Sequence, residues 1–363
     1  MPQKRLFTDV MDAIERRIAA GDYMLKDLPG ERRLAEEVGV SYMTARKAVT
    51  GLLERGVLAR RPNGSLIVNP RHRDAAATVK VALLTPAYPS IHLLQCRDAV
   101  SRVAEARGVQ FRPVEYVHWF DPNVAKAVAG SDGVIVIPST EPIPARMLSV
   151  FTDPEKRVVF LDDDMTDHGI PSVRLFATAH ITKVFDHLWK LGHRRIDCLN
   201  VQGRNCEVAR RIDEWQAWRK RRGVDGSLID APVEPYTDPT AAAYRIMQKT
   251  LRRKSESLGS AVVCTTQPAA IGAIRACHDH GLTVGRDISI TAVNCEPTGR
   301  YFVPSLTGLE GPDVRPLLQR CFDWFAGRET AWSGPLLMVP ARPSLFVGES
   351  TGSPTVASAV RAS

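Results

Sequence analysis

Apolar residues open the chain at a helical spacing: Phe7, Val10, Met11, Ile14 and Ile18. That period predicts an amphipathic helix over residues 6–20, closed by Gly21. Leu34, Ala35 and Val38 form a second, shorter apolar face that stops at Gly39. Ser41 is a good N-cap for a third helix, because its hydroxyl can accept from a free backbone N–H of the first turn. In that helix Ala45, Ala48, Val49, Leu52 and Leu53 share one face, while Tyr42, Arg46, Lys47 and Thr50 fall elsewhere, and Gly56 ends it. "VLARR" and "SLIV" then flank "PNG", a hairpin signal because Asn and Gly tolerate positive φ.

The pattern changes after "NPRHRDAAATVK", a polar, Ala-rich stretch that reads as a linker. A continuous apolar strand follows at 79–85, with further strand patterns at 109–117, 132–138, 157–162, 194–200, 260–266 and 287–294. Between them lie helical patterns over about 92–107, 122–129, 178–191, 205–222, 239–254 and 268–280. Apolar strands alternating with amphipathic helices imply α/β architecture with parallel sheets covered on both faces. Nearly 280 residues of it suggest two lobes rather than one sheet, with a ligand site in the cleft between them. Three helices and a hairpin ahead of this body make a winged helix-turn-helix, whose third helix fits the major groove of DNA. The expected organisation is 1–69 DNA-binding, 70–78 linker, 79–350 effector-binding and dimerisation, and 351–363 a disordered tail.

Charge sharpens the first part of this reading. Residues 1–74 carry 14 Lys/Arg against 10 Asp/Glu, half of the +8 formal net charge in a fifth of the length. Seven scattered cysteines without a C-x-x-C pair fit free thiols in a reducing compartment. The N-terminus has no apolar signal-peptide core, and no stretch approaches ~18 uncharged apolar residues, so a cytoplasmic protein without membrane contact is expected.

Catalytic signatures are missing: no G-x-G-x-x-G after the first strand, no Walker A pattern, no G-x-S-x-G elbow. No enzyme, catalytic residue, cofactor or metal is expected. "DDD" at 162–164 reads as a solvated loop after a strand, since three consecutive carboxylates do not converge. His278 and His280 lie two apart on a helix and face different directions. The arginine-rich "EVARRIDEWQAWRKRRG" is explained by an amphipathic helix with Ile212, Trp215 and Trp218 inward.

Two resemblances add to this. The stretch from Leu28 to Val68 resembles the GntR-type winged helix, through Leu28, Pro29, Glu31, Arg32, Leu34, Ala35, Val40, Ser41, Thr44, Arg46, Leu53, Gly56 and Gly64. The resemblance implies DNA contacts by Arg32, Ser41, Thr44, Arg46 and the wing tip Asn63–Gly64, with Tyr42 and Lys47 beside them. Arg46 is suited to a bidentate pair with guanine, and Arg32, Ser41 and Thr44 to phosphates. The chain departs from the family at Tyr42 and Met43, where Arg and Thr are usual, so a different operator is expected.

From about 79 to 352 the chain resembles the effector domain of LacI-type repressors, a periplasmic-binding-protein-like fold. "LWKLGHRRIDCLN", "IGAIRACHDHGLTVGRDISITAV", "PSLTGL" and "ESTG" carry this likeness. The combination is similar to the arabinose repressor group, and implies a homodimeric regulator of transcription, with repression as the expected sign, on a pseudo-palindromic operator. Its cleft would hold a small-molecule effector of unknown identity. Asp162 and Arg211 match family cleft residues; Cys295, Thr266–Gln267 and Phe176 replace acidic or amide ones. Tyr88, His92, Trp119, Phe176 and Trp215 are candidate aromatic lining. A buried sugar hydroxyl needs a partner, so these losses point to a non-sugar or less polar effector, or to a silent cleft. A solute-binding protein or an enzyme is opposed by the missing signal peptide and by the lack of a lysine in a Schiff-base motif.

Overall fold

In the computed structural model, residues 7–19, 22–23, 28–69, 79–253, 258–327, 331–341 and 343–354 are described. The expected linker, 70–78, and residues 355–363 of the expected tail lie outside them.

The N-terminal unit holds helices Phe7–Ala19, Glu31–Val38 and Tyr42–Glu54, then strands β1 (Leu58–Arg60) and β2 (Leu66–Val68), paired antiparallel. The stripe read from the sequence is its core: Val10, Met11 and Ile14 meet Leu34, Ala48, Val49, Leu52, Leu58 and Leu66. Each large side chain buried this way contributes about 1.5–3 kcal/mol. The short link between the second and third helices depends on Gly39, at φ +69°, whose N–H returns to the Glu36 carbonyl. Ser41 caps the third helix by accepting from the Thr44 N–H at 3.2 Å.

The body has two six-stranded sheets. The first runs β13-β7-β6-β5-β3-β4, all parallel, from strands β3 (Lys80–Pro86), β4 (Gln110–Tyr116), β5 (Gly133–Val136), β6 (Val158–Leu161), β7 (Ser172–Val173) and β13 (Leu337–Met338). The second runs β14-β12-β11-β10-β8-β9, from β8 (Ile196–Asn200), β9 (Leu228–Asp230), β10 (Ala261–Cys264), β11 (Ser289–Cys295), β12 (Thr307–Glu310) and β14 (Leu345–Phe346). It is parallel except where β14 meets β12. The central strands are buried end to end, as the unbroken apolar runs require.

The chain crosses between the lobes three times, after β7, β12 and β13. The second crossing runs through helix Arg315–Ala326, which lay outside the expected elements although Leu318, Cys321, Phe322 and Phe325 keep a helical period. It returns to the first lobe and seats Phe325 over Gly133, where a Cβ would stand 2.2 Å from the ring. Helix Ala145–Phe151 was also unmarked.

The expected tail needs correction at its start. Ser350 is buried and donates to the Ile290 carbonyl at 2.6 Å. Gly352 donates to Ser289 Oγ at 3.0 Å, and its carbonyl accepts from the His193 ring at 2.9 Å. Thr351 and Gly352 thus stitch this segment onto the second lobe, where the buried polar groups of Ser289 and His193 need partners.

Candidate nucleic-acid interface and interlobe cleft

The third helix turns its apolar face into the N-terminal core and leaves Tyr42, Met43, Arg46, Lys47 and Thr50 exposed. The Arg46 guanidinium has no hydrogen-bond or ion-pair partner among the described residues. Tyr42 donates to Glu31 at 3.1 Å, and the Arg32 guanidinium lies 6.0 Å from the Tyr42 ring. Lys47 Nζ sits 4.5 Å from the Phe7 ring, so its charge lies beside the first helix. The Ser41 and Thr44 hydroxyls are 2.8 Å apart and hydrogen-bond each other.

The wing is braced. Arg60 donates to the Gly64 carbonyl at 3.0 Å and pairs with Glu31 at 2.6 Å, tying the hairpin tip to the second helix. Asn63 accepts from the Ser65 N–H and hydroxyl, and Gly64 takes φ +81° to complete the turn.

Between the lobes, the carboxyl ends of β3, β6, β8, β10 and β11 converge. Asp162, directly after β6, adopts φ +62°, an uncommon left-handed conformation for a residue with a side chain. It directs one carboxylate oxygen to His92 Nε2 at 2.8 Å, and Cys96 Sγ lies 3.7 Å from the same nitrogen. Burial opposes the imidazolium, but Cys96 and Asp162 outweigh it and raise the His92 pKa well above its ordinary value. Burial likewise opposes the Asp162 carboxylate, and His92 with Arg211 and Arg210 brings its pKa below the usual range.

The "DDD" run is therefore no solvated loop. Asp163 is buried, which pushes its pKa up to about 6, and Asp164 pairs with Arg174. Arg174, on the crossing after β7, also reaches Glu207 of the second lobe at 3.1 Å. Glu207 in turn pairs with Arg210. Arg211 is only 4% exposed and donates to the Thr265 carbonyl at 2.9 Å. Across the cleft mouth the rings of Tyr88 and Tyr236 meet edge to face at 5.7 Å, and Tyr236 donates to the Val117 carbonyl. The lobes are closed on each other here, and Gly203 packs against Thr140 so tightly that a Cβ would stand 2.8 Å from it.

Several expected cleft residues are turned to other work. Phe176 is fully buried in the main hydrophobic cluster, and Trp215 with it, because the helices around them cover both sheets. Trp119 stacks on Tyr116 at 4.9 Å inside the first lobe. Gln267 spends its amide internally, donating to Glu296 at 3.1 Å and Thr298 at 3.0 Å and accepting from the Glu296 N–H at 2.8 Å. Cys295 is buried beside it, with its thiol pKa pushed up to about 12 by burial. The structure brings together Tyr88, His92, Asp162 and Arg211, and adds Arg174, Glu207, Arg210, Tyr236 and Glu296. Of these additions only Glu296 had a sequence signal, since it follows β11 directly at a strand's carboxyl end. The cleft is thus strongly polar.

Residues 6–68 match the bacterial regulatory proteins of the gntR family, and residues 185–315 match the periplasmic binding protein-like domain. Over 119 residues the chain is 36% identical to the HTH-type transcriptional repressor PurR of Erwinia tasmaniensis, covering 33% of each. Over 105 residues it is 33% identical to the HTH-type transcriptional regulator AglR of Rhizobium meliloti, 29% of this chain and 28% of that one. The chain spans less than half the length of the curated relatives it matches. Its fold is similar to a LacI family transcriptional regulator from Bifidobacterium animalis subsp. lactis, with TM-score 0.63 and 14% identity over 76% of this chain and 98% of that one. It is equally similar to a Lac repressor dimer solved bound to operator and anti-inducer, with TM-score 0.63 and 19% identity over 79% and 99% of the two chains.

The architecture is a two-lobed periplasmic-binding-protein-like body behind a winged helix. A region that matches the gntR family model thus precedes one that matches the periplasmic binding protein-like domain and shares its fold with LacI family regulators.

Proposed function

We propose that this protein is a ligand-responsive, DNA-binding regulator of transcription, acting in the cytoplasm as a homodimer with repression as its sign. The observation that carries the reading is the exposed Arg46 guanidinium, unpaired among the described residues, on a helix whose other face is locked into a core, beside a wing braced by Arg60 and Glu31. In this reading residues 1–69 contact the operator, with Arg46 on base edges and Arg32, Ser41, Tyr42, Thr44, Lys47, Asn63 and Gly64 around it. Residues 79–350 bind the effector and the second copy. The exposed apolar side chains Ile91, Leu94, Tyr301 and Val303 supply surface for that pairing. An effector in the cleft changes operator affinity only through its differential affinity for the open and closed arrangements of the lobes.

Selection of bound duplexes from a random DNA library by the full chain tests this. A pseudo-palindromic sequence, lost when Arg46→Ala protein is used, is the expected result. Failure to enrich any sequence defeats the proposal.

A further inference from the structure

Buried polar atoms almost always find a partner, so a cluster of orphans marks a place where something else belongs. Four such atoms gather around one end of the cleft: Asp162 Oδ1, Arg210 Nε and Nη1, and Arg211 Nε, none with a hydrogen-bond partner among the described residues. The other arms of the same side chains are committed. Asp162 Oδ2 faces His92, Arg210 Nη2 faces Glu207, and Arg211 Nη1 donates to the Thr265 carbonyl. What remains is three guanidinium nitrogen donors and one carboxylate acceptor.

The orphaned donors outnumber the orphaned acceptor, so the missing partner must chiefly accept. Burial lowers the Arg210 pKa, and Arg174 and Arg211 add repulsion, although Glu207 opposes both effects. The acids nearby are largely engaged: Asp164 with Arg174, Glu207 with Arg174 and Arg210, and Glu296 with Gln267. Asp163 has no arginine partner among the described residues, and burial raises its pKa to about 6. Each hydroxyl of a neutral polyol must donate as well as accept, and the cluster leaves one orphaned acceptor, Asp162 Oδ1, to receive it. An oxyanion offers two or three acceptor oxygens to guanidinium N–H groups, in charge-assisted bonds about twice as strong as neutral ones. Gln267 and Cys295, each closed on internal partners, present no acceptor for further ring hydroxyls.

We propose that the cleft binds a small hydroxylated oxyanion, its anionic group on Arg210 and Arg211 and an adjacent hydroxyl on Asp162 Oδ1. The carboxylate of a sugar acid and the phosphate of a sugar phosphate share this chemistry. The assignment rests on the effector-cleft reading above.

Calorimetry on the full chain tests it with matched probes: gluconate, galacturonate, glucose 6-phosphate and ribose 5-phosphate against glucose, galactose and ribose. At least one oxyanion binds at least tenfold tighter than its neutral parent, and the carboxylate and phosphate arms identify the source. Arg210→Gln, shown folded by circular dichroism, weakens that probe at least tenfold, and Arg210→Lys recovers part of the loss. Asp162→Asn weakens the oxyanion and its hydroxyl-bearing analogues alike. A neutral sugar binding as tightly as its oxyanion overturns the proposal. So does an oxyanion unaffected by Arg210→Gln, or no binding by any probe. If the oxyanion binds through Arg210 but leaves DNA binding unchanged in a gel shift, the ligand class stands and the regulatory reading falls.

Discussion

Arg174 Nε lies 3.1 Å from Glu207 Oε1, and the other arm of the same guanidinium pairs with Asp164. One side chain on a crossing strand therefore holds an acid from each lobe. Glu207 is nearly fully buried and Arg174 only slightly exposed, so neither charge is well solvated without the other. Replacing Arg174 by Ala leaves Asp164 without its cation and Glu207 with Arg210 alone at the interlobe junction. Removing one partner of a buried pair typically destabilises by about 3–5 kcal/mol. The Arg174→Ala protein should melt lower, and its scattering profile should show an enlarged radius of gyration from parted lobes. An unchanged profile would mean that the other cleft contacts suffice to keep the lobes together.

His193 gives the second lobe a built-in sensitivity to acid. Its ring lies between Ser260 Oγ at 2.7 Å, Ser289 Oγ at 3.0 Å and the Gly352 carbonyl at 2.9 Å. Burial lowers its pKa to about 4, against a bonding contribution from Gly352. The folded pKa is depressed, so between about pH 6.5 and pH 4 the unfolded chain binds more protons than the folded one. Stability is full above pH 6.5, falls as the pH drops through that window, and levels off near pH 4, a loss of order 3 kcal/mol. Asp163, raised to about 6, works in the opposite sense and loses stability as pH rises from about 4 to 6. Urea titrations across pH 4–7 should give a shallower stability slope for His193→Gln than for the parent protein. Equal slopes would contradict the assigned shift.

Gly272 sets how closely two helices of the second lobe approach. A Cβ there would stand 2.3 Å from the Thr240 carbonyl oxygen and 2.7 Å from the Ala243 Cβ. The first obstacle is backbone, which cannot rotate away as a side chain can. Gly272→Ala must push helices Pro239–Arg252 and Gln267–Asp279 apart, and overpacking of this kind costs about 1–3 kcal/mol. A melting temperature within a degree of the parent would argue that the helices slide without loss.

How much of this was legible depends on what each feature draws on. Strand and helix periods are local, so β3, β5, β8, β10 and β11 and the helices between them could be read from the unbroken apolar runs and their amphipathic neighbours. The helix Arg315–Ala326 lay outside the expected elements although Leu318, Cys321, Phe322 and Phe325 recur at helical spacing. Its partner, Gly133, lies some 180 residues earlier in the sequence. The cleft was half visible. Asp162 and Arg211 stand at positions that a family pattern marks, whereas Arg174 and Arg210 acquire meaning only when two lobes meet around Glu207. Phe176 and Gln267 occupy marked positions too, but burial and internal bonding give them structural work that no one-dimensional pattern distinguishes from ligand contact.

The N-terminal surface yields the last prediction. Arg46 and Arg32 are both exposed, yet their settings differ: Arg46 projects from the third helix, whereas Arg32 lies over the Tyr42 ring at the helix junction. A guanidinium on a major-groove helix reads guanine edges, and its loss costs about 1–3 kcal/mol of discrimination. One that holds a phosphate contributes equally on all sequences and adds about one unit to the salt slope of binding. Arg46→Ala should therefore weaken the selected operator about 5- to 150-fold and narrow its margin over random duplex. Arg32→Ala should weaken both alike and lower the salt slope by about one. Neither touches the core, so sedimentation should show the same oligomer as the parent. Fluorescence anisotropy at several salt concentrations separates the two behaviours, and a uniform loss for Arg46→Ala would move that residue from base reading to backbone contact.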